Sequence, residues 1–208
     1  MNLRSWLTAP GPTRAIHLAD DADGWVEHPY PAVADRARRI ATLLRANGFQ
    51  IGDGACVVLP TGVDAVAAFF ATWVAGGWFT PIAPPLFDDL DTYRAHLAGL
   101  LATAAPRVVV TEPDYAELVT AAMRAAGRAD APLVLEPALL AATEPSEVSA
   151  TAGEVCLVQF TSGSTGTPKG VEVSHRAAMN TIDDINDRFD VGSSSITTTD
   201  ERRRTVDF

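Results

Sequence analysis

The chain has 208 residues, 47% of them hydrophobic and 20% charged, enough apolar content and length for one large domain or two small ones with a buried core. Its formal net charge of −10 at pH 7 argues against a nucleic-acid partner, because long-range attraction to a phosphate backbone needs a basic surface. The late basic cluster Arg202-Arg203-Arg204 reads as part of a solvated tail.

Residues 1–10 carry one arginine, Arg4, and neither an apolar core of signal-peptide length nor a small-residue cleavage site, so the expected location is the cytoplasm. Residues 1–29 are taken as an amino-terminal segment. From Tyr30 onward helices and strands alternate. Val33, Ala37, Ile40, Ala41 and Leu44 make one helical stripe over residues 33–46, with Asn47-Gly48 as the stop and Arg36, Arg38, Arg39 and Arg45 expected to face water. Residues 55–59 are a compact apolar run between Gly52-Asp53-Gly54 and Pro60, the pattern of a buried parallel strand. Residues 63–79 are the most apolar stretch, but Asp64, Thr72 and Gly76-Gly77 interrupt it and no basic polar face accompanies it. It reads as a buried helix followed by a strand at residues 78–82, not as a membrane segment.

A helix is expected at residues 93–104, where Tyr93, Leu97, Leu100, Leu101 and Ala104 align and Pro106 marks the exit. Residues 107–111 read as a strand, Tyr115, Leu118, Val119, Ala122 and Met123 as a helical stripe closed by Gly127, and residues 133–135 as a short strand. Residues 30–142 are thus an α/β subdomain with a mainly parallel sheet and helices on both faces. Residues 143–154, rich in Glu, Ser, Thr and Pro without periodicity, read as a surface linker. Cys56 and Cys156 sit in separate apolar runs with no metal-like spacing and are expected to be buried free thiols.

The chemistry-bearing stretch follows. Residues 155–160 form an apolar strand-like run; then come Thr161, Ser162, Gly163, Ser164, Thr165, Gly166, Thr167, Pro168, Lys169 and Gly170; then Val171-Glu172-Val173 as a half-buried strand and Ser174 as a helix cap. Glycines permit close backbone approach, hydroxyls add donors, and Lys169 adds positive charge, so the stretch can wrap an anionic group. A Walker A loop would place a Ser or Thr after the lysine and begin a helix there; here Pro168 and Gly170 flank Lys169 and a strand follows, so the spacing fails.

All ten positions resemble the Ser/Thr/Gly-rich phosphate loop of the adenylate-forming enzymes: acyl-CoA ligases, fatty acyl-AMP ligases and the adenylation domains of nonribosomal peptide synthetases. Gly48 to Asp53, Pro60-Thr61-Gly62, Gly76-Gly77 and the turn from Pro81 to Pro85 stand where that family has its amino-terminal turns, and residues 175–189 look most like the peptide-synthetase branch. The resemblance covers residues 30–192. It implies an amino-terminal part of a ligase that joins a carboxylic or amino acid to AMP using ATP and Mg2+, releases pyrophosphate, and passes the acyl group to a phosphopantetheine arm on a carrier protein or to coenzyme A. Residues 161–170 would hold the β- and γ-phosphates, with Lys169 as counter-charge; no catalytic residue and no protein metal ligand is assigned. The family's later magnesium, ribose and catalytic-lysine motifs are not found in the sequence, so slight activity is expected of this chain alone. A non-catalytic nucleotide-binding or interaction module is the alternative.

Residues 155–192 are expected to begin a second subdomain, and the polar residues 193–208 to form a disordered tail. His175 is read as a structural residue, because no carboxylate or nucleophile accompanies it in sequence. Asp183, Asp184, Asp187 and Asp190 are read as a solvated helix face, opposite a stripe of Ala178, Ile182, Ile185 and Phe189 that would pack on the sheet. Apolar sheet edges without partners would favour self-association.

Overall fold

A computed structural model describes residues 4–11, 14–19, 24–85, 89–161 and 168–189. The amino-terminal segment comprises a short helix α1 (Ser5–Thr8) and a hairpin of β1 (Ala15–Ala19) and β2 (Trp25–Pro29). Next come α2 (Tyr30–Ala46), β3 (Gly54–Val58), α3 (Val63–Ala75), β4 (Trp78–Ile82), α4 (Leu90–Ala104) and β5 (Val108–Thr111). A 3-10 turn (Pro113–Tyr115) then leads into α5 (Ala116–Ala125), β6 (Leu133–Val134) and α6 (Pro137–Ala142). The described chain closes with β7 (Val155–Thr161), β8 (Lys169–Ser174) and α7 (His175–Phe189).

The main sheet has the order β6-β5-β3-β4-β7-β8; every neighbouring pair is parallel except β7 with β8. Strand period 2 divides its side chains. Ala55, Val57, Phe79, Val108 and Val110 join α2 and α3 in one core, while Cys56, Val58, Ile82 and Val109 join α4 and α5 in the other. Topology explains the division. The chain steps from β3 outward to β4, then back across β3 to β5, and right-handed crossovers running in opposite directions must lie on opposite faces.

Helix ends follow local chemistry. α2 starts three residues before its apolar stripe because Pro31 supplies a preset φ in the first turn. α4 likewise starts at Leu90, since the Asp89 carboxylate accepts the Thr92 N–H at 3.0 Å. α3 ends with Gly76 in the left-handed conformation (φ 90°), Gly77 N–H bonding Thr72 O and Gly76 N–H bonding Trp73 O. That reversal feeds Trp78 straight into β4. Helix α6 is absent from the sequence expectation, being six residues long with too few turns to show a period.

From β6, at one end of the sheet, the chain must return across the α2–α3 face to reach β7. Residues 143–154 make that return without helix or strand. They are clamped instead. Arg38 Nε donates to Ser146 O (2.8 Å), Thr42 Oγ1 to Glu144 O (2.7 Å), Arg39 Nη1 to Thr143 O, and Arg45 bonds both Glu147 O (3.1 Å) and Val74 O (3.0 Å). Buried Arg4 reaches Ser149 O at 2.8 Å from the amino-terminal segment, and the Ser149 and Gly153 N–H groups bond Val74 O and Gly76 O. The expectation that the α2 arginines face water is therefore corrected: three of them hold this strap and Arg36 pairs with Asp64 of α3. Periodicity reveals which side of a helix meets the core, but not that an extended segment lies along its flank.

A second correction concerns α7. Ala178 packs against the core, but Ile182 and Ile185 are 41% and 46% exposed, so only the first turns of the helix dock. β8 is the last strand of the described sheet, and the helix has no sheet surface beneath it further on. Asp183, Asp184 and Asp187 are exposed as expected; Asp190, the Phe189 side chain and residues 193–208 lie outside the described residues.

Candidate functional site

β7 and β8 form an antiparallel hairpin whose last pair is Thr161 with Lys169. Thr161 Oγ1 donates to Lys169 O at 3.5 Å, and Lys169 is exposed. Of the ten predicted site residues, the structure brings Thr161, Pro168, Lys169 and Gly170 together at the hairpin end; Ser162, Gly163, Ser164, Thr165, Gly166 and Thr167 lie outside the described residues. Gly170 has a packing reason. A Cβ there would stand 3.0 Å from Val158 Cγ1, tighter than ordinary van der Waals contact, so a side chain would press on that methyl.

The position of this hairpin end follows from register. Val58 lies opposite Ile82 and Thr111, the three marking the carboxyl edge of β3, β4 and β5. Phe79 pairs with Leu157, so by counting Phe160 falls level with Ile82 and Thr161 stands just past the edge. In open α/β sheets ligands sit outside the carboxyl ends of the strands, where the direction of chain winding reverses. Here that reversal falls at β3 and β4. On the neighbouring part of the edge Arg36 pairs with Asp64, and burial, with Asp114 and Asp64 adding repulsion, pushes the Glu112 carboxyl above its ordinary value.

A strand, β8, follows the loop. β8 runs away from it, and α7 starts at the far end, where Val155 pairs with Ser174. Ser174 Oγ accepts the Ala177 N–H at 3.1 Å, the cap expected from sequence.

His175 lies at that far end too, about 20 Å from Lys169 at about 3.4 Å per strand residue. Its ring packs on Trp73 with centroids 5.6 Å apart, its Nε2 is buried without a hydrogen-bond partner, and burial with Arg4 nearby lowers its pKa. It belongs to the packing. Cys56 and Cys156 are both buried free thiols, as expected, and burial pushes the Cys56 thiol up to about 12. Among the described residues no group of three or more His, Cys, Asp and Glu side chains could hold a metal ion, and no helix is long and apolar enough to cross a membrane.

Sequence reasoning missed Trp73. Buried at 7% exposure on α3, it donates its indole N–H to Cys156 O of β7 at 2.8 Å. The available signal was a lone tryptophan in a helix otherwise built largely from Ala, Val and Phe, since a buried indole has to find an acceptor.

The family model described as AMP-binding enzyme matches residues 6–201. The chain belongs to the AMP-binding enzyme family. The match extends past both ends of the 30–192 span expected from sequence. Among curated relatives the chain is 38% identical over 162 residues to pyochelin synthetase PchE of Pseudomonas aeruginosa, covering 78% of this chain and 10% of that protein. It is 33% identical over 167 residues to phenyloxazoline synthase MbtB of Mycobacterium tuberculosis, covering 79% and 11%. The chain thus spans about a tenth of these relatives.

Among solved structures, one from a study of fatty acyl-adenylate ligases of E. coli and L. pneumophila matches with a TM-score of 0.72 and 27% identity, over 87% of this chain and 33% of that one. The adenylation domain of a keto acid-selecting NRPS module bound to keto acyl adenylate shares the fold at a TM-score of 0.72 and 21% identity, over 91% and 35%. Like these AMP-binding enzymes, the chain has the α/β fold of their large domain, with a mostly parallel sheet.

Proposed function

We propose that the chain is the phosphate-loop part of an ATP-dependent adenylating ligase that joins a carboxylic or amino acid to AMP, releases pyrophosphate, and passes the acyl group to a thiol. One observation carries the reading: a hairpin ending in Thr161 and Lys169 stands at the carboxyl edge of a parallel sheet, in a chain of the AMP-binding family. The similarity to PchE and MbtB supports the peptide-synthetase branch, and with it a carrier-protein phosphopantetheine as acceptor and a cytoplasmic setting. A carrier protein, or coenzyme A in the acyl-ligase branch, is accordingly the proposed partner.

Each group has a role in this reading. The carboxylate attacks the α-phosphorus and negative charge builds on the departing pyrophosphate. Amides and hydroxyls of residues 161–167 and the Lys169 ammonium would stabilise that charge. Pro168 narrows the backbone before the lysine, and Gly170 keeps β8 close to Val158 behind it. Mg2+ would arrive with the nucleotide phosphates.

Calorimetric titration with ATP and magnesium tests the proposal. Binding should be measurable and should weaken by roughly tenfold to a hundredfold in Lys169→Ala, the loss of one charge-assisted contact. No detectable heat from the unsubstituted chain would count against it. ATP–pyrophosphate exchange by the chain alone is expected to be slight.

A further inference from the structure

The hairpin that presents Lys169 joins the rest of the sheet through β4. β7 meets β4 at the pair Phe79 and Leu157, and the β7–β8 ladder shifts register between Val155 and Leu157, at Cys156. A bulged residue has no cross-strand partner to fix it lengthwise. Register matters here, because a slip of one residue moves a strand by about 3.3 Å and turns every side chain to the other face.

Trp73 supplies the missing constraint. Its indole N–H bonds the Cys156 carbonyl at the bulge, and its ring packs on His175, the residue that follows β8. One rigid side chain therefore touches β7 and the residue that follows β8, at the end of the hairpin remote from Lys169. The ring is itself fixed. It packs edge-on to Phe70 (5.3 Å between centroids) and tilted to Phe79 (5.8 Å), the β4 residue paired with Leu157. The left-handed turn at Gly76 ends its helix one turn further on, bound to the strap through Gly153.

We propose that Trp73 is a positioning residue: by holding the Cys156 bulge it sets the register of the β7–β8 hairpin and so places Thr161 and Lys169 at the sheet edge. Its effect on nucleotide binding rests on the function proposed above; its effect on register does not.

Two variants separate the hydrogen bond from the packing. Trp73→Phe removes the indole donor and part of the ring. Benzothienylalanine at position 73 keeps the bicyclic shape and puts sulfur where the N–H was. Amide hydrogen exchange is followed along the chain, and ATP with magnesium is titrated calorimetrically. In both variants exchange should quicken by roughly tenfold in β7 and β8 and stay unchanged in β3 and β5, while ATP affinity falls by roughly tenfold, the size of one buried hydrogen bond. Exchange that quickens uniformly, or that is unaltered in the hairpin of the benzothienyl variant, overturns the proposal by reducing Trp73 to core packing. If the unsubstituted chain takes up no ATP, the functional reading fails and the exchange pattern alone decides the register.

Discussion

His175 shows how a residue's environment decides its chemistry. A histidine next to a phosphate-type loop in sequence invites a catalytic role, yet the six residues of β8 carry it to the opposite edge of the sheet. Its pKa is lowered by burial and by Arg4, so folding favours the neutral ring. Below the unfolded value of 6.5 the unfolded chain takes up a proton more readily than the folded one, so stability from this group is complete above that pH and is lost as pH falls through the folded value. His175→Phe keeps an aromatic ring against Trp73 and removes the titration. Thermal melts at pH 7 and pH 5 should show a smaller drop in midpoint for the variant than for the unsubstituted chain. Sequence made the burial of both cysteines legible, because each lies in an apolar run. It could not make Trp73 legible, since an indole's acceptor can come from anywhere in the fold and here stands on β7, far along the chain.

Elements were read most surely where periodicity and stop signals agreed, as in α2 and α5, and less surely at starts fixed by one side chain, as at Asp89. The α3–β4 junction is the tightest of these. A Cβ at Gly77 would meet Asp53 O at 2.1 Å and the Phe49 ring at 2.6 Å, both held by the backbone around them. Gly77→Ala should cost about 3 kcal/mol or more, the upper end for forced overpacking. Arg45→Ala, which drops the bonds to Val74 O and Glu147 O, should cost about 1 to 2 kcal/mol. Urea unfolding of both variants checks the order. The strap itself was invisible as structure because irregular backbone has no period; its hold comes from partners on α2 that a sequence pattern treats as surface.

For the molecule as a whole, alternating helices and strands in the sequence were enough to indicate a mainly parallel α/β sheet, while strand order was not, because crossing distance leaves no local trace. The described sheet ends at β8, whose Val171 is 49% exposed, and Ile182 and Ile185 of α7 are exposed too. An apolar edge of this kind seeks a partner. The chain alone should therefore associate at micromolar concentration, and Ile182→Glu with Ile185→Lys should lower the apparent mass in sedimentation velocity without shifting the melting midpoint by more than about 2 °C, since both sites are exposed.

The pairing of Phe79 with Leu157 also carries a consequence for assembly in time. β3, β4, β5 and β6 are joined by short crossovers, whereas β7 meets its neighbour only after the whole strap has been laid down. Closing a loop of that size is slow compared with forming the nearer contacts. During synthesis β3 to β6 leave the ribosome before the β7–β8 hairpin exists. Of the described strands, the one that delivers Lys169 is then the last to arrive, and it docks on a platform already built.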